Sequence, residues 1–414
     1  MGKGGNRVGE DPKLAKGAKG KKGTPDNMWL EIEGKRYDVT NFAKVHPGGH
    51  VIEYFNQKDA TEAYLSIHSR ELLEKYKHLL VKEKTEPLPV TRIQQKFRAL
   101  EEKYRKEGLY EPQPFFFFWQ LAVAITLFFT AIYVFWAYNA WWTSAFIMGV
   151  SQVQFGWLMH DFGHRQVTCN SKLDRTLNFI VMNCFQGGNA EWWTSKHNRH
   201  HLLPNTLEHD PDIHTDPLFS FVASMKGGFW NKYQHLYFPI LGPPIGVIFM
   251  AYLVFRHSIN HKYWGIFLGM VVFNSVYFAF FGFLHYVVMR VVHGIWFQSV
   301  VAVNHFAETV LTREEADKLD WVTLVARTTM NVTGGSFMDW AFGHLNYQIE
   351  HHLFPQMPRI HYGPISGEVR EMMESEGIKY DTRPLVPAFS KLLGHLASSG
   401  KMVAQAKAYR KKSE

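Results

Sequence analysis

The chain has 414 residues, a formal net charge of +8, two cysteines and 22 histidines. Its mean hydropathy is slightly negative. Aromatic residues nevertheless reach 15%, and the apolar blocks concentrate between residues 115 and 305, so a polar part and a membrane part are being averaged. Such a composition excludes a single ordinary soluble core. With only Cys169 and Cys184, it also excludes a disulfide framework and a cysteine-ligated metal site.

In chain order, residues 1–26 form a basic tail in which Lys3, Lys13, Lys16, Lys19, Lys21 and Lys22 alternate with glycine. This pattern predicts disorder, and beside a membrane it suits anionic lipid rather than nucleic acid. No apolar stretch follows these charges, so a secretory signal peptide is not expected. Residues 27–84 read as a small soluble domain that opens with a strand-like stretch, Trp29 to Val39, turning at Glu33-Gly34. Residues 85–114, with Pro87, Pro89 and a run of charges, read as a flexible linker containing a helix that leads to the membrane.

Phe115–Tyr138 carries no charge and is long enough to span a bilayer. Asn139 and Ala140 form a tight link to a second span, Trp141–Met159. A polar region follows from His160 to about His235, and then the blocks 236–255, 264–283 and about 286–303. Gly242-Pro243-Pro244-Ile245-Gly246 in the first of these is expected to break a helix, which makes that block interfacial or re-entrant. Four spans in two hairpins remain, with tips near 139 and 285. The long loops are rich in Lys and Arg, so the positive-inside rule places both termini and every histidine cluster in the cytosol. Arg290 and His293 then lie near the far surface, where snorkelling makes them tolerable. Residues 115–395 read as one membrane domain with a polar, mostly helical end, and 396–414 as a polar tail.

The histidines carry the chemistry. His160 and His164 stand four apart where the second span leaves the membrane, which puts both imidazoles on one helix face. His197, His200 and His201 form a second cluster. Gln348, His351 and His352 repeat its spacing with glutamine first. Each cluster alone is a common surface pattern. Three of them, each at a cytosolic membrane boundary, point to a shared metal site, and imidazole donors suit iron, zinc or copper. Seven histidines exceed what one zinc needs, so two metals are the simpler count. His305, at the end of the last span, is a further ligand candidate, although a helix-terminal histidine can instead interact with the dipole. Gln348 is equally a ligand through its amide oxygen or a hydrogen-bonding support. Asp161, Glu191, Asp210, Asp212, Asp339 and Glu350 are candidates for orienting the imidazoles. The pairs Trp141-Trp142 and Trp192-Trp193 read as interfacial anchors.

In the soluble domain, His46-Pro47-Gly48-Gly49-His50 is followed by His68 within a segment that includes Asp59-Ala60-Thr61-Glu62-Ala63-Tyr64. This resembles the cytochrome b5 signature, which implies a haem b with His46 and His68 as axial ligands. Two imidazoles make haem iron six-coordinate, suited to electron transfer rather than oxygen activation. His50 and His78 are not expected to be ligands.

His160-Asp161-Phe162-Gly163-His164, His197-Asn198-Arg199-His200-His201 and Gln348-Ile349-Glu350-His351-His352 resemble the three histidine boxes of membrane fatty acid desaturases. Gly156-Trp157-Leu158-Met159, Gly343-His344-Leu345-Asn346-Tyr347 and Leu353-Phe354-Pro355 fit the surrounding words of that family. Glutamine opening the third box, together with an N-terminal haem domain, resembles the front-end desaturases and the related sphingolipid desaturases. The resemblance covers about residues 30–390. It implies an α-helical integral membrane protein with four transmembrane helices and a cytosolic histidine-box domain, preceded by a small α+β cytochrome b5-like domain. Two iron ions would be held by His160, His164, His197, His200, His201, His305, Gln348, His351 and His352, with no catalytic side chain beyond these ligands. It further implies O2 as co-substrate, a polyunsaturated acyl-CoA or acyl-phospholipid substrate, and electrons from an NADH-dependent cytochrome b5 reductase. The expected location is the endoplasmic reticulum membrane with both termini cytosolic. The expected reaction is a cis desaturation between the carboxyl end and an existing double bond, at Δ6 or Δ5, with sphingolipid Δ8 desaturation as the nearest alternative. Hydroxylation, and a haem-linked metal carrier or sensor, are the more distant ones. Transport would require ionisable residues at mid-membrane, whereas these histidines sit at its edge.

Overall fold

A computed structural model describes residues 27–82 and 86–413. The basic tail, residues 1–26, therefore lies outside the described residues. The N-terminal module opens with the hairpin β1 (Trp29–Ile32) and β2 (Lys35–Asp38), antiparallel in the register Ile32↔Lys35. Glu33 and Gly34 close it with positive φ at both positions, the requirement of a tight two-residue turn. Two short helices follow, α1 (Thr61–Ile67) and α2 (Arg70–Lys75). Alternation in β1 puts Leu30 and Ile32 inward, where they join Tyr37, Val39, Ile52 and Ala63.

The expected flexible linker is instead an ordered strut. α3 (Arg92–Lys106) begins with a Thr91–Gln94 capping box. Its Ile93, Phe97 and Tyr104 recur at helical spacing and lie buried in the same core as the module and as Leu353 and Phe354. Phe97 stacks on Phe354 at 5.2 Å. On its other side Arg98 reaches Asp59 at 2.5 Å and Glu62 at 2.6 Å. The prolines and charges suggested a tether because its apolar residues are few. Their spacing, however, serves two partners at once.

The membrane part is built from α4 (Pro114–Tyr138), α5 (Trp141–His164), α8 (Gln234–Asn260), α9 (Trp264–Phe281) and α10 (Phe283–His305), with α6 (Ser171–Ile180) and α7 (Ala190–Leu202) between α5 and α8. Asn139, in the left-handed region, links α4 to α5, and Gly282 links α9 to α10. Among the described residues three helices are long and apolar enough to cross a membrane: α4, α9 and α10. α5 is as long but carries Ser144, Ser151, Gln152 and Gln154, and it is buried along most of its length between α4 and α10. Gly149 permits that closeness, since a Cβ there would sit 2.6 Å from Val292 Cγ1.

α8 corrects one expectation. It runs unbroken through Gly242-Pro243-Pro244. Prolines remove hydrogen-bond donors but do not end a helix whose neighbours hold it, and α8 packs against α10 and α16 (Leu385–Ser413). The C-terminal part before α16 supplies α11 (Arg313–Ala316), α12 (Trp321–Thr328), α13 (Ser336–Ala341), α14 (Gln348–Leu353) and α15 (Tyr362–Glu374). A short parallel pair, β3 (Asn331–Val332) with β4 (Thr382–Arg383), ties the region after α12 to the start of α16.

Candidate metal centre and haem site

Four helices deliver imidazoles to one buried region. The last turns of α5 carry His160 and His164, α7 carries His197, His200 and His201, α10 ends on His305, and α14 carries Gln348, His351 and His352. All but His197 are buried, and His197 is half-buried. The eight rings divide into a group of five (His160, His164, His197, His201, His351) and a group of three (His200, His305, His352). Within each group the ligand atoms lie within 4.8 Å of one another. The two groups touch where the His201 and His352 rings stack at 4.1 Å.

In the first group His197 Nε2 is 3.1 Å from both His160 Nε2 and His201 Nε2. In the second, His305 Nε2 is 3.3 Å from His200 Nε2 and 3.1 Å from His352 Nε2, with the Gln348 amide nitrogen at 2.8 Å. Two nitrogen donors about 2.1 Å from one cation and at right angles to each other lie about 3 Å apart, so these separations suit shared ions. His164 Nε2 and His351 Nε2 are buried without a hydrogen-bond partner. Leaving such atoms dry is costly unless something else satisfies them. The donor set therefore fits two metal ions. Burial and the neighbouring rings hold His197, His201, His351 and His352 well below the ordinary histidine range, which leaves neutral imidazoles with free lone pairs.

Three outer nitrogens, those of His200, His305 and His351, are anchored separately. His200 Nδ1 is 2.9 Å from Asp210 Oδ2, and the backbone N–H groups of Asn205 and Asp212 donate to the same carboxylate at 2.7 and 2.8 Å. Burial disfavours the charged form of His200, but Asp210 and Asp212 outweigh it and raise its pKa. His305 Nδ1 is 3.2 Å from the Thr328 carbonyl, and His351 Nδ1 is 3.3 Å from the Tyr362 hydroxyl. Asn304 Nδ2 donates to Gln348 Oε1 at 3.3 Å. An amide half-turn exchanges its oxygen and nitrogen, so either end of Gln348 can face the second group.

Of the acids singled out in the sequence, Asp210 and Asp212 face His200. Asp161 lies 4.0 Å from His160 Nδ1 but pairs more closely with buried Arg359 at 3.1 Å, while Glu350 accepts from Asn331 and Tyr380, Asp339 from Asn346, and Glu191 from Arg175. Thr328, Tyr362 and Asn304 were missed. A backbone carbonyl, a phenol and an amide brought in from other elements leave no local spacing to read.

In the N-terminal module the His46 and His68 ring centroids are 6.4 Å apart. Two imidazoles bound at about 2 Å on opposite sides of one iron have centroids roughly 6 Å apart, so this pair fits a haem between them. Gly48 is required, because a Cβ there would lie 2.7 Å from His46 Cε1 and displace the ring. Burial, then the neighbouring His46 and Arg165, pushes His68 down to about 4, which keeps its imidazole neutral. His50 points away to Glu53 at 2.6 Å.

A haem-type module fixed beside a buried cluster of imidazoles, itself at the ends of long apolar helices, defines a membrane-bound redox metalloenzyme. Residues 16–96 match the family of cytochrome b5-like heme/steroid binding domains, and residues 139–384 match the fatty acid desaturase family. Two similar proteins, one bovine and one human, each named fatty acid desaturase 3, are 30% identical to the chain. The bovine match covers 92% of both chains, and the human match 91% of this chain and 90% of its own. The chain belongs to the fatty acid desaturase family, with a cytochrome b5 domain fused to the desaturase domain, and is an oxidoreductase acting with O2.

Proposed function

We propose that the enzyme is a front-end desaturase. It introduces a cis double bond between the carboxyl end and an existing double bond of a polyunsaturated acyl chain, at Δ6 or Δ5. The observation that carries this reading is the pairing of a fused haem module with a third histidine cluster opened by Gln348, lying against His305 at 2.8 Å. His160, His164, His197, His201 and His351 would hold one iron, and His200, His305 and His352 the other, with Gln348 beside it. Bound iron supplies reduction of O2 and removal of hydrogen from an unactivated C–H bond, which no acid or base side chain can achieve. The protein's own work is to bury the donors away from water, to hold His197, His201, His351 and His352 neutral, and to fix the outer nitrogens of His200, His305 and His351.

In balance, O2, two electrons and two protons convert –CH2–CH2– to –CH=CH– and two waters. His46 and His68 would hold the haem, which when bound would supply one-electron transfer from a cytosolic cytochrome b5 reductase using NADH. Acyl-CoA and acyl-phospholipid are both compatible with a head group at the cytosolic face. The setting is the endoplasmic reticulum membrane, spanned by α4, α5, α9 and α10, with both termini and the histidine site cytosolic. Expression in yeast fed defined polyunsaturated acids, with the new double bond mapped in coenzyme A and phospholipid fractions, tests the reading. A new double bond on the carboxyl side of an existing one is expected. Desaturation of a sphingolipid base at Δ8, or a hydroxylated product, would overturn it.

A further inference from the structure

Each histidine cluster runs directly into the haem module. Arg165, immediately after His164, donates through Nη2 to the carbonyl of Ile67, immediately before His68. Gln356, just past His352, donates through Nε2 to the Leu65 carbonyl at 2.8 Å. Leu202 and Leu203, following His201, share an apolar core with Ala60 and Ala63 of the module. Both hydrogen bonds end on α1, the helix whose C-cap is His68. At the rim, Lys58 and Asp317 close the seam at 2.6 Å.

Arg165 occupies an unusual place for this purpose. It caps α5 with φ 63°, the left-handed conformation in which helices commonly end on glycine. A long cation is disfavoured there on backbone grounds, and burial further disfavours its charge. What it gains is the Ile67 carbonyl. Two side-chain hydrogen bonds to successive odd carbonyls of α1 fix the module's rotation, while the shared apolar core fixes its distance.

We infer that Arg165 and Gln356 are positioning residues that seat the haem module on the histidine site, so that electrons leave a docked module and not one swinging on a tether. This rests on the reading of His46 and His68 as haem ligands and of the clusters as an iron site. A bonded connection runs from His68 through the Ile67 carbonyl, across the hydrogen bond, to Arg165 and His164. For each electron one ferrous haem becomes ferric and one ferric iron at the clusters becomes ferrous. No atom crosses the seam.

The test uses the full-length enzyme, loaded with haem and iron, under argon and without acyl substrate. The haem is reduced by a light flash and its ferrous absorbance is followed as the electron moves on. If the parent shows no bis-histidine haem spectrum or holds no iron, the underlying reading fails, and this is seen before any variant is made. Arg165→Met is expected to slow the decay about tenfold, the weight of one charge-assisted hydrogen bond in the docking equilibrium, and Gln356→Met roughly threefold, that of a neutral one. Haem spectrum, haem potential and iron content should stay at parent values, and Arg165→Lys should recover part of the rate. Because Arg165 adjoins His164, a second measurement is independent of it. Lys58→Cys with Asp317→Cys, in a Cys169→Ser, Cys184→Ser background, is joined by a short bismaleimide. The cross-linked enzyme is expected to keep the parent decay. Parent-like decay in Gln356→Met together with loss of decay on cross-linking would overturn the proposal, since the module would then have to leave its seat to deliver electrons.

Discussion

An imidazole has two nitrogens, so a partner on the outer one fixes the direction of the ring, as it does for His200, His305 and His351. His200 is the clearest case, its Nδ1 set on Asp210 and its Nε2 on His305 and the second group. Asp210→Asn keeps the shape but removes the carboxylate, and loss of such a partner lowers metal affinity about 10–100-fold. Chelator titration of purified protein, with iron counted at each step, should show this; iron retention equal to the parent would refute the orienting role. Replacing His160, His164, His197, His200, His201, His351 or His352 by alanine should remove nearly all desaturation with clear loss of iron. An active enzyme holding one zinc and no iron would end the two-iron reading. Gln348→His discriminates further: activity that survives marks the amide as a support, whereas its loss marks a tuned ligand. At this scale the clusters were legible because helical spacing writes them into the chain. His305 was legible only by its position at a span's end. Tyr362 and Thr328 were not, because they arrive from separate elements and share no period with the rings they hold.

At the scale of elements, α3 shows how a segment that looks like a tether becomes a strut. Proline on its N-terminal side and many charges conceal three apolar residues that recur every turn or two, and these are buried between two parts of the molecule. Its ion pairs are part of the same joint, since Glu62 is buried and only Arg98 and Gln94 meet its carboxylate from α3. Glu62 is therefore left short of a partner in Arg98→Ala. A buried polar group in that condition costs about 1–3 kcal/mol, so the thermal midpoint for loss of haem absorbance should fall by several degrees. Arg98→Met with Glu62→Met should recover most of it, because an apolar pair replaces an ion pair at little cost. If Arg98→Ala melts with the parent, the joint is not held by these charges. α8 was misread for the opposite reason: Gly-Pro-Pro is a strong local break signal, and neighbours on α10 and α16 overrule it.

For the whole molecule, crossing parity turns the packed histidine site into a statement about the membrane. His200 on α7 lies 3.3 Å from His305 at the end of α10, so an even number of crossings separates them. Three long helices intervene: α8, α9 and α10. α9 and α10 are apolar enough to cross and are joined by Gly282 alone, so they form one hairpin. With that hairpin, α8 is expected to begin and end on the side of the histidine site, lying along the surface despite its length. Its three prolines suit that position, because carbonyls they free can be met by water or head groups at an interface but not in the hydrocarbon. By the same reasoning Asn139, the link between α4 and α5, is expected on the far side with Gly282. Single cysteines in a Cys169→Ser, Cys184→Ser background, labelled in sealed vesicles, test each point. Cysteine at Ser171, Glu314, Tyr233 and Lys262 should react from the cytosolic side, and cysteine at Asn139 should not. The pair at Tyr233 and Lys262 decides the matter for α8. Protection of one of them from cytosolic reagent would make α8 a crossing helix, and α7 and α10 could then meet at one site only if α9 and α10 did not form a hairpin.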